Sequence, residues 1–426
     1  MIDGYVVEPG AASAAETGRS CAVEVALRPW PYPYEAAVAI CSDLDETPTA
    51  VDYFDRMRLL NTKESTPLGA GFGLEVGNSI YFDMPPSQFS YWNADERAQS
   101  SVRALIQSGH IDCLHSFGDL ATTRSHAGRA LDELARYGCE IKVWVDHAIA
   151  PSNFGADIMQ GSGDVEGSAA FHADLTCAYG IEYVWCGRVT SVIGQDVPRR
   201  LGGIAQWQHP AASSITAAKE AAKGWLGRAG SVKYDSHSAN DVLWRSTLRS
   251  GQAVYEFLRA NPSWAGISVY ETADGFGEVV TDDFLRHLAS RRAACVLYTH
   301  LGKTRQPGRA LSSSTRLALA RLAEQFSSGK VLVTTTRRLL DFCRARREVS
   351  GTAKADGSHL RIDVTTKSLA VDMNALAGLT FSVARPSRAS LTLNGGPEVP
   401  LRVNPMDADG ATSVSLPWPR LSFPGI

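Results

Sequence analysis

Two short polar clusters contain the residue types that bind divalent metal ions. Asp43 and Asp45 come directly after one apolar run. His115 ends a second run, and Asp119 follows it four positions later. Carboxylates two positions apart on a strand face the same side, and an imidazole and a carboxylate one helical turn apart can reach one ion. The clusters predict a metal site with a spare base. The alternative is an acidic strand-to-helix turn in which Asp45 or Thr47 only caps the next helix.

Two later apolar runs end in the same residue types. One is followed by Asp146 and His147, and the other by His300. Because an unperturbed imidazole has a pKa near 6.5, His300 could donate a proton at neutral pH and is a candidate general acid. Exposed strand ends have no packing requirement for Asp or His, so this repeated pattern predicts a chemical site at one edge of a sheet.

Apolar strands that alternate with amphipathic helices would position these residues. The alternation is typical of βα units around a parallel sheet, in which the carboxyl edge carries the chemistry. We therefore predict an α/β barrel. The expected strands are 37–42, 111–115, 141–146, 181–187, 265–270, 294–299 and 330–335, and the expected helices are 95–108, 126–137, 213–228, 247–260, 281–291 and 312–327.

The composition changes near residue 348, where helix-forming residues give way to segments of alternating polarity. Asn394-Gly395 is a turn sequence typical of β-hairpins. We predict a barrel domain over residues 1–347 and a small, all-β, sandwich-like accessory domain over residues 348–426. Its expected strands begin near 359, 379, 390 and 413.

Composition excludes some classes of protein. The chain has 426 residues, 42 of them basic and 45 acidic, and it lacks the basic block expected of a nucleic-acid-binding protein. Residues 1–20 do not resemble a signal peptide, and no apolar run is long enough for an integral membrane segment. The eight cysteines include no CxxC pair and lie mostly in apolar runs. We expect buried thiols in a cytoplasmic protein. The sequence leaves the oligomeric state open.

The motifs resemble those of the polysaccharide deacetylases of the NodB-homology type, carbohydrate esterase family 4, over roughly residues 35–345. The segment 41–45, Cys-Ser-Asp-Leu-Asp, resembles the family's Thr-Phe-Asp-Asp-Gly motif with one residue inserted. The segment 115–119 resembles its His-Ser/Thr-x-x-His motif with the last histidine replaced by Asp119, and 297–300 resembles its late Leu-His motif. With Asp146-His147 and the run 171–180, the combination is most similar to the O-antigen deacetylases of the WbmS type.

The resemblance implies a distorted (β/α)7 barrel and a metal-dependent hydrolase that deacetylates an acetylated carbohydrate in O-antigen biosynthesis. The ion would be Zn2+, although two carboxylates and one imidazole also suit Mn2+, Fe2+ or Mg2+. The implied roles are Asp43 as base, His300 as acid, and Asp45, His115 and Asp119 as metal ligands.

The chain departs from the family at the arginine that orients the base, for which no match is evident. Asp146 and His147 stand at the expected place, and Arg188 is a possible substitute. We expect these three and Trp185 to contact substrate. Two alternatives remain open: a glycoside hydrolase on the same barrel, which needs two carboxyls across a sugar site, and a non-catalytic sugar-binding protein with a decayed site.

Overall fold

The computed structural model describes residues 23–43, 47–204, 210–261, 272–304, 311–356, 359–366, 372–383, 387–407 and 410–426. These residues form a mixed α/β structure with two large curled sheets, of eleven and eight strands, and one two-stranded sheet. The larger sheet is compatible with the predicted α/β barrel.

The elements are numbered in chain order. The strands are β1 (Val23–Glu24), β2 (Ala26–Leu27), β3 (Ala36–Ser42), β4 (Ser65–Thr66), β5 (Gly69–Ala70), β6 (Gly77–Ile80), β7 (Ile111–His115), β8 (Val143–Val145), β9 (Tyr183–Trp185), β10 (Val189–Thr190), β11 (Leu243–Thr247), β12 (Ala253–Phe257), β13 (Arg259–Ala260), β14 (Ala294–Thr299), β15 (Val331–Thr334), β16 (Val349–Asp356), β17 (His359–Thr366), β18 (Thr380–Ser382), β19 (Arg388–Leu393), β20 (Val399–Val403) and β21 (Ser413–Ser415). The α-helices are α1 (Ala50–Asn61), α2 (Glu96–Gln107), α3 (Arg124–Arg136), α4 (Ala173–Tyr179), α5 (Pro210–Arg228), α6 (Asp235–Ala239), α7 (Phe276–Val279), α8 (Asp282–Ser290), α9 (Ser313–Ser327) and α10 (Thr336–Glu348). Short 3-10 helices span Leu201–Ile204, Val232–Tyr234, Ala273–Gly275 and Asn374–Leu376.

The eleven-stranded sheet is built around β3. Its order is β10-β13-β14-β3-β6-β7-β8-β9-β12-β11, and β15 adds to the first half of β3. The ladders are parallel except that of β11 with β12. Strand β3 is buried throughout, as expected for a parallel strand covered on both faces. The predicted strands at 37–42, 111–115 and 294–299 are confirmed within one residue.

The predicted helix over 247–260 is wrong. These residues form the end of β11, the strand β12 and the short strand β13. Gly251 has a φ of 91°, which an L side chain rarely adopts, and the chain turns there so that β12 pairs with β11. Strand β6 was not predicted, because its polar Gly-Asn-Ser segment lacks an apolar run. The predicted strand 265–270 lies outside the described residues.

The eight-stranded sheet contains the C-terminal strands in the order β1-β16-β17-β19-β20-β21-β18-β2. Strands β1 and β2 are separated only by Val25, and they pair with the two opposite ends of this row. The sheet therefore curls round and nearly closes through residues 23–27, which the sequence prediction had assigned to the barrel domain. Asn394 and Gly395 both have positive φ at the β19–β20 turn, as the predicted hairpin requires.

Helices α1, α2, α8 and α9 begin at a residue whose side chain caps the first turn. Helix α1 is capped by Thr49, whose side chain accepts a hydrogen bond from the backbone N–H of Asp52. The cap is therefore not Thr47. Among the described helices, none is long and apolar enough to cross a membrane.

Candidate functional site

The candidate site lies at the carboxyl edge of the eleven-stranded sheet, where side chains from several strands face the interior. Cys41 of β3 and Cys113 of β7 approach each other there, with their Sγ atoms 3.9 Å apart. Because side chains alternate along a strand, Asp43 and His115 lie on the same inner side, one step nearer the edge. His115 pairs with Val145 in the ladder of β7 with β8, so His115 lies beside the carboxyl end of β8.

A buried ion pair between Asp43 and Arg259 forms the centre of the site. The Arg259 guanidinium lies 3.1 Å (Nη1–Oδ2) and 3.4 Å (Nη2–Oδ1) from the Asp43 carboxylate, and neither side chain is exposed to solvent. Burial alone would raise the pKa of Asp43, but Arg259, His115 and His300 more than offset it and lower the pKa to about 2. Asp43 is therefore ionised at neutral pH.

Two aromatic rings and a thiol hold Arg259 in place. Its guanidinium carbon lies 4.2 Å from the ring centre of Trp185 and 4.8 Å from that of Tyr298, and Nη2 donates to the Cys41 sulfur at 2.8 Å. Stacking on aromatic faces suits the flat guanidinium. The two rings, whose centroids are 5.9 Å apart, and the Cys41 sulfur together fix the guanidinium next to Asp43.

His115 presents one ring nitrogen to Asp43. Its Nδ1 lies 3.1 Å from the Val145 carbonyl oxygen, which can only accept, so Nδ1 carries the proton. Burial lowers the pKa of His115 to about 3, which makes the ring neutral and leaves a lone pair on Nε2. That lone pair faces the Asp43 carboxylate, with an Nε2–Oδ2 distance of 3.4 Å.

His147 connects this centre to Asp119. The ring centroids of His115 and His147 are 4.8 Å apart, and His147 Nδ1 lies 3.0 Å from Asp119 Oδ1. Tyr81 stacks on His115 at 4.8 Å and meets the His147 ring edge-on at 5.3 Å. Asp119 is the solvent-facing end of this row, since its side chain is 42% exposed.

The tight turn after β7 brings Asp119 to this position. Ser116 and Gly118 both have positive φ, 46° and 105°. A Cβ atom at Gly118 would lie 2.2 Å from the Asp83 carbonyl oxygen, so only glycine fits. The four-residue spacing of His115 and Asp119 therefore spans a turn fixed by close backbone packing.

His300 follows β14 on the other side of Asp43. It is buried, its ring centroid is 5.0 Å from that of Tyr298, and its positive form would lower the pKa of Asp43. Ser42 Oγ accepts the Leu301 N–H at 3.2 Å, which ties the residue after His300 to β3. The structure thus brings Asp43, His115 and His300 together.

Asp146 does not face this centre. It lies on the outer side of β8, where its carboxylate accepts hydrogen bonds from Trp144 Nε1 (2.7 Å) and from the backbone N–H groups of Phe154 (2.9 Å) and Gly155 (2.7 Å). Burial raises its pKa to about 7. Its position fixes the loop after β8, in contrast to the substrate contact expected from the sequence.

Arg188 and Trp185 also differ from expectation. The Arg188 guanidinium pairs with Asp157 at 3.0 Å and Glu256 at 3.5 Å, and Arg259 takes the place next to Asp43 that Arg188 was expected to fill. Trp185 is 1% exposed and carries Arg259 on its ring, so its role is to position the guanidinium. Asp45 lies outside the described residues.

Sequence reasoning missed Arg259 and Tyr81. Arg259 was hidden because its segment was interpreted as a helix. The signal that could have revealed it is an arginine between apolar residues, Phe257-Leu258-Arg259-Ala260, since a buried guanidinium requires an acidic partner. Tyr81 follows the unpredicted strand β6.

The donors at this edge are chemically suited to a divalent ion, although they are not converged on one point. Among the described residues, no group of three or more His, Cys, Asp or Glu surrounds a position for a metal ion. The available donors are His115 Nε2, the His147 ring and the carboxylates of Asp43 and Asp119. Imidazole and carboxylate are ligands that zinc, manganese and iron share.

Comparison with known proteins adds no relative from which a function could be carried over. No protein-family model, no curated protein and no solved structure matches this chain. The geometry of the site is therefore the basis for assigning its chemistry.

Proposed function

We propose that this chain is a metal-dependent hydrolase that removes an acetyl group from an acetylated sugar of a bacterial surface polysaccharide or its precursor. In this proposal the curled sheet is the distorted (β/α)7 barrel of the deacetylases that its motifs resemble. The observation that carries the proposal is the buried pair of Asp43 and Arg259, with His115 and His300 beside it. A fixed carboxylate flanked by imidazoles suits proton transfer to and from a reacting acetyl group.

The environment of His115 supports a cation at this site. Its Nε2 lone pair and the Asp43 carboxylate are 3.4 Å apart, and two such groups repel each other unless a positive charge lies beside them. Metal-binding histidines commonly donate their other N–H to a backbone carbonyl, as His115 does to Val145. Asp45, His115 and Asp119 are the ligands that the resemblance implies, and His147 is a further candidate because it contacts Asp119. A bound ion would polarise the acetyl carbonyl and a water molecule.

Residues of the chain carry out the proton transfers and hold the reacting groups in position. Asp43 takes the proton of the attacking water, and Arg259 orients the carboxylate for this step. His300 gives a proton to the departing amine or alkoxide. Trp185 and Tyr298 keep Arg259 in place, and the Asp43–Arg259 pair is itself fully buried, which excludes bulk water from it.

The low pKa of Asp43 raises a specific question about its role. A carboxylate with a pKa of about 2 is a weak base, yet it is always ionised and would also bind a cation well. If Asp43 is the base, Asp43→Asn keeps the ion and loses turnover. If Asp43 is itself a ligand, the same substitution loses both.

A glycoside hydrolase is less well supported. Such an enzyme needs a second carboxyl facing Asp43 across a sugar site, with a raised pKa for the acid. Asp146 has a raised pKa, about 7, but its carboxylate is bound on the outer side of β8 by Trp144 and the loop backbone. Asp119 is exposed and contacts His147 instead.

The decisive experiment is elemental analysis after chelation and reloading with zinc, manganese or magnesium. We expect about one ion per chain in the wild type and in His287→Ala, a control at an exposed histidine of α8, and none in His115→Ala. Acetate release from a panel of N- and O-acetylated sugars would follow on the loaded protein. Failure to bind an ion under all loading conditions would refute the proposal.

A further inference from the structure

Helix α5 packs against the protein through a polar face. Ser213, Thr216 and Glu220 are buried, and Glu220 is only 1% exposed. The Glu220 carboxylate accepts hydrogen bonds from the Ser191 backbone N–H at 3.2 Å and from Lys223 at 2.7 Å. A surface helix normally buries its apolar face. Helix α5 instead buries a polar face.

Five apolar residues of α5 are exposed along one side of the helix. We call the exposed row at alternating spacings of four and three residues the α5 stripe; it consists of Ala211, Ile215, Ala218, Ala222 and Trp225. Ile215 is 58% exposed and Trp225 is 68% exposed. The spacing keeps the row on one side of the helix, which gives a continuous apolar strip. Val232, just beyond the helix, is 86% exposed.

The exposed charges of α5 itself are all positive. Lys219 and Arg228 are exposed on the same helix. The one acidic residue of α5, Glu220, is buried on the opposite side and paired. The exposed face of this helix is thus apolar, cationic and free of acidic side chains among the described residues.

Helix α5 packs, through its buried side, at the same edge of the sheet as the candidate site. The Glu220 carboxylate binds Thr190 and Ser191 at the carboxyl end of β10. The backbone carbonyl of Thr190 accepts a hydrogen bond from the backbone N–H of Asn261, two residues after Arg259. Helix α5 is therefore connected through β10 to the strand that carries Arg259.

We propose that α5 docks on an anionic lipid membrane surface, with the α5 stripe in the interface and Lys219 and Arg228 at the head groups. Tryptophan is well suited to the boundary between head groups and acyl chains, and basic residues beside an apolar face are typical of helices that lie in the membrane plane. The positive charge complements anionic phospholipid. Docking would bring the site's edge towards an acetylated sugar carried on a lipid anchor, and this last step rests on the proposed function.

A second copy of the chain fits this face less well. Pairing through the α5 stripe would bring Lys219 and Arg228 of both copies into one interface, without an exposed acid on α5 to neutralise them. Like charges in an interface disfavour association. The charges of α5 therefore favour an anionic membrane over a second copy of the chain.

The test is co-sedimentation of the full chain with vesicles of phosphatidylglycerol and phosphatidylethanolamine, or of phosphatidylcholine alone. We expect binding to the anionic vesicles that weakens with salt, and little binding to phosphatidylcholine. Ile215→Ser with Trp225→Ser should weaken binding about tenfold or more, and Lys219→Glu and Arg228→Glu should each weaken it at least about fivefold. The matched control is Leu317→Ser, which removes a leucine that is 53% exposed on α9 and should bind like the wild type.

Three results would overturn this proposal. The first is wild-type binding by the Ile215→Ser, Trp225→Ser double variant, and the second is no binding by the wild type. The third is a dimer in sedimentation equilibrium that this double variant dissociates, which would make the face a contact between copies. Metal content is measured on the same preparations, so loss of vesicle binding with retained metal tells against the membrane proposal alone.

Discussion

Replacing Arg259 with methionine should leave Asp43 as an uncompensated buried charge. Methionine can still pack against Trp185 and Tyr298, so the main loss is the guanidinium that lies 3.1 Å from the carboxylate. Removing one partner of a fully buried ion pair costs about 3–5 kcal/mol of folding stability. We expect a loss of this size in the metal-free protein.

The pH dependence of the folding stability should change sign as well. In the wild type the pKa of Asp43 falls from an ordinary 3.8 to about 2, which stabilises the folded state by about 2 kcal/mol at neutral pH. This contribution is complete above pH 4 and is lost as the pH falls through about 2. In Arg259→Met, burial dominates and raises the pKa of Asp43 above 3.8. The variant should therefore gain stability as the pH falls from 7 to 5.

The assay is urea unfolding of chelated protein at pH 7 and pH 5. Asp43→Asn combined with Arg259→Met should recover at least about 2 kcal/mol relative to Arg259→Met alone, because no charge then remains buried. Arg245→Met is the control, since this arginine is 78% exposed and its pair with Glu348 should be worth about 1 kcal/mol or less. A cost below about 1 kcal/mol for Arg259→Met, or no recovery in the double variant, would refute the assigned pair.

Three further predictions concern the segments that support the site. Burial raises the pKa of Asp146 to about 7, so its contribution to stability falls as the pH rises from about 4 to 7; Asp146→Asn should remove this decline in urea unfolding. Gly118→Ala should cost about 2 kcal/mol or more in the same assay, whereas Gly138→Ala, which has open space, should cost about 1 kcal/mol. Arg249→Leu removes both guanidinium hydrogen bonds to Oδ1 of the buried Asp164, and limited proteolysis should then cut the loop that contains Asp164 faster than in the wild type.

Long apolar strands were predictable from the sequence because both of their faces are covered. Strand β3 is apolar up to Ser42, and its end at Asp43 followed directly from this pattern. Strand β6 could not be found in the same way. Its Gly77-Asn78-Ser79 segment is polar yet fully buried, and it forms a strand because β3 and β7 pair with it on either side. Its stability comes from pairing between distant segments, which local composition does not record.

The error over 247–260 had a larger consequence for the site. Apolar residues at Leu248, Val254, Phe257 and Leu258 are compatible with a helical period, and the segment has no proline. The deciding feature is the turn at Gly251, which allows β12 to pair with β11 on one side and with β9 on the other. Without the turn, the strand end that carries Arg259 could not be placed at the carboxyl edge.

Alternation along the strands decides which of the predicted residues reach the site. Asp146 and His147 are neighbours, but Asp146 shares the outer side of β8 with Trp144, while His147 faces His115. A strand-end motif therefore identifies the edge of the sheet that carries the site. It does not tell which of two neighbouring residues faces the site until the inner side of the strand is known. A buried charge on the inner side also needs a partner. Asp43 lies 216 residues before Arg259, yet an arginine within an apolar run requires an acidic partner, and the acids predicted at the strand ends are the candidates for it.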